Sequence, residues 1–255
     1  MQDWCLVTDI DGTLIGEEAS TRALRLVVLR ERRALEARGC RLYWAIATGR
    51  RIDSTREVLL ESGFSLEEFD AFVTSVGAEL YLPGATAPCG TYAALLGASG
   101  FARDLVIEAL AGLEFLRFQP EHEQLPYKVS YLVPDQPLYR ERVHGALARL
   151  PFATETVFSH DEYLDVAPQG GGKGGAVAHL LDRFRLPAAR LAAAGDSGND
   201  TNMLDRDWPA IVVGNGSTQL APLRARPTVY FAKAKHAAGV LEGLRAHGFL
   251  TTDSA

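Results

Sequence analysis

Trp4-Cys5-Leu6-Val7-Thr8 is a short apolar run that stops on Asp9, and runs of this kind return along the chain with a helical stretch after each. Leu24, Val27, Val28 and Leu35 recur at helical spacing within residues 20–38, and Gly39 follows as a stop. Leu42-Tyr43-Trp44-Ala45-Ile46-Ala47 reads as a second buried strand ending at Thr48. A helix over 52–62 and a strand over 71–75 come next. Strand, helix, strand, helix, strand is the signature of a parallel sheet with helices on both faces.

The alternation returns near the end, with a helix over 173–185 and short strands over 190–194, 210–213 and 228–231. Between the halves the texture changes. Pro83, Gly84, Pro88 and Gly90 mark a break. A helix near 102–112, a strand over 127–133, a helix after Pro137 and a strand over 154–158 then read as a separate α+β module inserted into the larger fold. The expected division is a core of residues 1–82 and 160–255 around an insert of 83–159. A chain of 255 residues has room for both.

In open parallel sheets ligands bind outside the carboxyl ends of the strands. Four polar clusters lie just after an expected strand or just before a helix: Asp9-Ile10-Asp11-Gly12-Thr13, Thr48-Gly49-Arg50, Lys173 after three glycines, and Gly195-Asp196-Ser197-Gly198-Asn199-Asp200. Each has an ordinary reading as a turn, a cap or a solvated loop; their coincidence at strand ends carries the functional one. A calcium loop starting at Asp9 fails, because Leu14 and Ser20 stand where it needs Gly and Glu. A nucleotide P-loop at Lys173 fails on Ala167 and Gly174. Asp9 and Asp11 can both face one ligand, and the last cluster supplies Asp196 and Asp200, hard oxygen ligands in small number that suit Mg²⁺, with Asn199 between them. Thr48 and Gly49 offer a hydroxyl and a backbone amide to phosphate oxygens, and Lys173 an ammonium at a helix N-terminus.

In combination these four clusters resemble the motifs of the haloacid dehalogenase superfamily, in order and across the whole chain. Asp9–Thr13, Ala47-Thr48-Gly49-Arg50, Val76-Gly77-Ala78-Glu79, Pro126-Tyr127-Lys128-Val129-Ser130-Tyr131 and the approach to Lys173 are similar to its sucrose-6-phosphate phosphatase branch. The resemblance implies a doubly wound, Rossmann-like parallel α/β core with an inserted α+β cap domain. It implies an Mg²⁺-dependent hydrolase acting on a small sugar phosphate, with Asp9 as nucleophile and Asp11 as acid and base. The metal would be held by Asp9, the Asp11 backbone carbonyl and Asp196, with Asp200 behind it. A sucrose-phosphate synthase-type glycosyltransferase is the macromolecular partner the branch suggests.

Specificity is expected from the insert, where Lys128 and Ser130 share one face of a strand and Tyr127, Val129 and Tyr131 the other. Gly12 and the glycine triplet before Lys173 depart from the branch pattern and leave the sugar open. Phosphatases for mannosylfructose phosphate or mannosylglycerate phosphate, a sugar phosphomutase, and a non-catalytic partner of a glycosyltransferase are the competing readings. Few basic residues in 82–159 speak against the second phosphate site a mutase needs. Net charge is −6 without a basic block, which speaks against nucleic acid. No apolar stretch is of bilayer length, no basic leader opens the chain, and Cys5, Cys40 and Cys89 match neither a disulfide framework nor a zinc spacing. The expectation is a cytoplasmic protein with Cys5, Cys40, Trp4, Tyr43 and Trp44 in its core and His236 starting a helix.

Overall fold

The computed structural model describes residues 2–134, 136–159 and 162–250; the expected core limits at residues 1, 160 and 255 lie outside them. The elements run β1 (Trp4–Thr8), α1 (Glu18–Glu36), β2 (Leu42–Ala47), α2 (Ile52–Glu61), β3 (Ala71–Thr74), β4 (Glu79–Tyr81), α3 (Gly90–Gly97) and α4 (Arg103–Leu110). They continue with β5 (Arg117–Phe118), β6 (Val129–Leu132), α5 (Pro137–Leu147), β7 (Thr154–Ser159), β8 (Tyr163–Pro168) and α6 (Gly172–Phe184). Last come β9 (Leu191–Gly195), α7 (Thr201–Leu204), β10 (Ala210–Val212), β11 (Val229–Phe231) and α8 (His236–Ala246).

Seven strands form the larger sheet in the order β11-β10-β9-β1-β2-β3-β4. All neighbours run parallel except β3 and β4. Every residue of β1 is buried, which is why its sequence is apolar without in-and-out alternation. Trp4 and Leu6 pack with Leu24, Val28, Val240 and Leu244 of α1 and α8, while Cys5 and Val7 face Val177 and Leu180 of α6 on the other side. Fully burying each such Leu or Val stabilises the fold by about 1.5–3 kcal/mol. From β1 the chain winds outward to β2 and β3, and later from β9 the opposite way to β10 and β11. The reversal leaves a crevice at the carboxyl ends of β1 and β9, the place where such sheets bind ligands.

α1 has no side-chain N-cap; instead the Thr21 hydroxyl, one turn in, donates to the carbonyls of Leu14 and Glu17 at 2.8 and 3.0 Å. This ties the helix start to the turn that leaves β1. Trp4, Trp44 and Cys5 are buried as expected, whereas Tyr43 and Cys40 are only partly covered. Tyr43 stacks on Phe184 with ring centroids 4.0 Å apart.

The smaller sheet is antiparallel throughout, in the order β5-β6-β8-β7. Val106 and Leu110 of α4 and Val143 and Leu147 of α5 pack on Val129, Tyr131, Leu164 and Val166 of one face. Ser130 and Asp165, alternating with these, point from the other. Two elements lie across the expected limits of the insert. α3 packs Tyr92 and Leu96 into the core of the larger sheet, and β8 pairs with β6 and β7 of the smaller one. Neither is apparent in the sequence, because α3 follows the Pro- and Gly-rich break and β8 runs straight into the glycines before Lys173. Among the described residues, no helix is long and apolar enough to cross a membrane.

Candidate active site

Asp9 follows directly on β1, and its backbone N–H donates to Ala194 of β9 at 3.0 Å, so the carboxylate enters the crevice between the two strands. Lys173, fully buried at the start of α6, donates to Asp9 Oδ1 at 2.8 Å, Asn199 Oδ1 at 2.7 Å and Asp200 Oδ1 at 2.7 Å. An ammonium has three hydrogens and no acceptor, so these bonds use it completely. Asp200 Oδ2 accepts the backbone N–H groups of Asp196 and Ser197 at 3.0 and 3.1 Å. With both oxygens engaged, Asp200 braces the loop after β9 as well as the lysine. Asp196 accepts the Thr13 hydroxyl at 3.2 Å, joining that loop to the turn after β1.

Carboxylate oxygens of Asp9, Asp196 and Asp200 lie within 4.8 Å of one another. Burial pushes Asp9 well above the usual carboxylate range, with Lys173 opposing the shift and Asp200 and Asp196 adding to it. Burial and Asp200 push Asp196 up to about 6. Burial alone would lower the Lys173 ammonium, but Asp200 and Asp9 hold it above its ordinary value. One lysine does not balance three acidic groups. A hard divalent cation matches both the surplus negative charge and the all-oxygen donor set, so the residues fit Mg²⁺.

The remaining expected residues gather around this cluster. Thr48 is buried at the end of β2, where its hydroxyl accepts the Arg50 backbone N–H at 3.2 Å. Gly49 lines the cavity with Asn199 opposite; a Cβ at Gly49 would stand 3.5 Å from Asn199 Nδ2. Asn199 Oδ1 is taken by Lys173 and Ser197, which turns its NH₂ towards that space. Asp11 is set apart from the cluster of Asp9, Asp196 and Asp200. Its side chain is half exposed and pairs bidentately with Arg50, Nε to Oδ2 and Nη2 to Oδ1, both at 2.7 Å.

A cavity of about 390 Å³ opens between the two sheets, bounded below by Asp9, Asp11 and Gly49 and above by Gln119, Glu123, Lys128, Tyr163 and Asp165. Lys128 lies just ahead of β6, in a turn bridged to Leu125, and its ammonium donates to Asp165 at 3.1 Å. Ser130 is fully buried and donates to the same Asp165 oxygen and to the Glu123 carbonyl at 3.4 Å. Lys128 therefore borders the cavity, while Ser130 supports Asp165 from behind. Tyr127 falls outside the strand and joins the larger sheet's core cluster instead of backing the smaller sheet. Asp165, Tyr163, Glu123 and Gln119 escape a reading of the sequence, since nothing in their spacing announces that they converge. Arg50 is visible there only as part of a motif; its grip on Asp11 is not.

The family model for sucrose-6F-phosphate phosphohydrolases matches residues 2–248. Among curated proteins, a mannosylfructose-phosphate phosphatase of Agrobacterium fabrum is 29% identical over 95% of this chain and 96% of its own length. Sucrose-phosphatase 1 of Nicotiana tabacum is 29% identical over 94% of this chain, which spans only 58% of that longer protein. Among solved structures, the sucrose-phosphatase of Synechocystis in complex with sucrose and phosphate superposes with a TM-score of 0.85, covering 97% of this chain and 98% of that one at 26% identity.

Proposed function

The chain belongs to the sucrose-6F-phosphate phosphohydrolase family, and from that premise we propose that it hydrolyses the phosphate ester of a disaccharide phosphate, sucrose 6-phosphate first among them. The family makes it a phosphoric monoester hydrolase with a haloacid dehalogenase fold. The observation that carries the mechanistic reading is the array of Asp9, Lys173, Asp200 and the partly buried Asp196, with Asp9 at the floor of a cavity roofed by the smaller sheet.

In this reading Asp9 attacks phosphorus in line, so that an Asp9 Oδ–P bond forms as the P–O bond to the sugar breaks. Asp11 is the group proposed to pass a proton to the departing sugar oxygen. It then takes a proton from the water that attacks the aspartyl-phosphate, releasing phosphate and restoring Asp9. Thr48, Gly49 and the Asn199 NH₂ hold the phosphoryl oxygens; Lys173, expected among them from the sequence, has its three hydrogens on Asp9, Asn199 and Asp200 and acts here by fixing those groups. Asp9, Asp196 and the Asp11 backbone carbonyl would hold Mg²⁺, which would supply charge neutralisation at the phosphoryl group. Asp200, whose oxygens are already taken, orients Lys173 and the Asp196 loop. Arg50 holds both oxygens of the Asp11 carboxylate beside the cavity, so one of these bonds must open for Asp11 to serve the sugar oxygen.

The smaller sheet with α4 and α5 is the proposed cap, reaching through β8, and Lys128 with Asp165 is the proposed contact to sugar hydroxyls. Mannosylfructose phosphate stays as the second substrate reading, because the relative of that activity aligns over almost its whole length. Phosphate release with Mg²⁺ from sucrose 6-phosphate, mannosylfructose phosphate and fructose 6-phosphate separates the two. Preference for the first by about tenfold or more in kcat/KM, roughly 1.4 kcal/mol of transition-state discrimination, supports the assignment. Preference for the second moves the substrate and keeps the chemistry, and silence on all three sinks the reading.

A further inference from the structure

The catalytic turn after β1 is held from the far end of the chain. The Gly12 carbonyl accepts two hydrogen bonds, from Asn215 Nδ2 and from His236 Nδ1, each at 2.8 Å. Asn215 Oδ1 in turn accepts the His236 backbone N–H at 2.8 Å. These bonds leave no choice of proton placement. A carbonyl only accepts, so Nδ1 of His236 carries a hydrogen, as it does in one neutral tautomer and in the imidazolium. Only the oxygen of the Asn215 amide can take a backbone N–H, so its NH₂ must face Gly12.

The surroundings are shaped for this contact. A Cβ on Gly16 would stand 2.3 Å from the His236 ring, so glycine there makes room for the imidazole. His236 itself has φ +49°, a left-handed conformation that a non-glycine residue seldom keeps unless contacts impose it. Gly12 has φ +76°, and a Cβ on it would stand 2.3 Å from Asp196 Oδ2. The turn therefore needs glycine to let the Asp196 loop approach. Glycine is also the residue whose peptide planes rotate most freely, and Gly12 sits next to Asp11.

We infer that Asn215 and His236 are positioning residues for the reaction, clamping the Gly12 carbonyl so that Asp9, Asp11 and Asp196 keep their mutual register. The inference rests on the phosphatase reading above. Neither residue lines the cavity between the sheets. Both act through Gly12, whose N–H is bonded to the Ile15 carbonyl at 3.0 Å and whose neighbour Thr13 donates to Asp196. Without the clamp the peptide unit between Gly12 and Thr13 is free to turn, which displaces Thr13 from Asp196 and loosens the turn that carries Asp11.

The test compares Asn215→Ala, His236→Gly and His236→Asn with the wild type. His236→Gly removes the donor while relieving the backbone; His236→Asn restores an N–H donor on a residue that tolerates positive φ. Turnover of a phosphate ester is read together with the thermal shift on adding Mg²⁺ and beryllofluoride, a mimic of the acyl-phosphate. Asn215→Ala and His236→Gly are expected to lower kcat about 10- to 100-fold with KM moved less than about threefold, and to shrink the beryllofluoride shift. His236→Asn is expected to recover most of both. A His236→Gly protein with wild-type kcat and wild-type shift overturns the clamp. So does a variant whose ligand-free melting temperature falls while kcat and the shift stay put, which is a purely structural role. A wild type that responds to Mg²⁺ and beryllofluoride but hydrolyses no ester overturns the function alone, since the shift still reads the clamp. A wild type with neither property overturns both.

Discussion

Asp9, Asp196 and Asp200 crowd three carboxyl groups around the ammonium of Lys173, in a place where burial penalises every charge. Such a cluster is arranged for its ligands and not for the stability of the protein without them. Asp9→Asn removes one of the crowded charges and leaves an amide oxygen for Lys173. In chelator the variant is expected to melt about 2–4 °C above the wild type, and with Mg²⁺ it should release no phosphate above background. A lower melting point in chelator would mean that the Asp9–Lys173 pair stabilises the empty site, contrary to the crowding argument. These residues are legible in the sequence because each adjoins a strand end or a helix start, where side chains must converge on the crevice. The bidentate hold of Arg50 on Asp11 is not legible, because it depends on how two loops lean towards each other.

The turn after β3 shows how an element can serve two loops at once. Ser75, Val76 and Gly77 have φ of +53°, +61° and +95° in succession, unusual above all for a β-branched valine. In this shape Ser75 donates its N–H to the Arg50 carbonyl at 2.8 Å and Val76 to the Thr48 carbonyl at 3.1 Å, bracing the Thr48-Gly49-Arg50 loop after β2. Gly77 meanwhile passes against the start of α6: a Cβ there would stand 2.0 Å from the Gly172 carbonyl carbon and 2.4 Å from the Lys173 nitrogen. Gly77→Ala is therefore expected to cost more than about 2 kcal/mol in urea unfolding and to depress kcat by shifting Lys173. Gly63 has φ +82°, and a Cβ there would meet nothing within 4 Å, so Gly63→Ala should cost only about 1 kcal/mol and leave kcat alone. Equal losses in the two variants would show that backbone conformation, and not the approach to α6, is what the glycine provides. Sequence alone extends this strand to residue 75 and gives no hint of the turn, since Ser-Val-Gly carries no signature of successive left-handed residues.

Where the two sheets meet, Glu155 of β7 lies near Arg206 of the larger unit and the backbone N–H of Gly170. Burial raises its carboxyl to about 7 against their opposing pull. Between about pH 4.5 and 7 the folded protein keeps a proton that the unfolded chain has released, so stability falls as pH rises through that window and levels off above it. Glu155→Gln should erase this slope. Allowing for partial exposure, the variant is expected to gain about 1–2 kcal/mol over the wild type at pH 8 and to match it near pH 4, measured by chemical denaturation across pH. A variant less stable than the wild type at pH 8 would show that Glu155 is ionised and paired with Arg206.

By itself the sequence determined the parallel core, that a second α+β unit interrupts it, and which four polar loops follow its strands or open its helices. Apolar runs of strand length, punctuated by Asp, Thr-Gly and Gly-Lys, are local patterns, and a parallel sheet obliges their carboxyl ends to gather. The resemblance to the haloacid dehalogenase superfamily and its sucrose-6-phosphate phosphatase branch held in the family match and in the superposition. Only the tertiary structure decided that α3 packs with the larger sheet and β8 with the smaller, that Ser130 supports Asp165 behind the cavity wall, and that Asn215 and His236 close on Gly12. The physical reason is the range of the interaction. Hydrophobic period and strand-end chemistry are written within a few residues, whereas these contacts join segments far apart in the chain, whose meeting depends on how the sheets, helices and cap pack together.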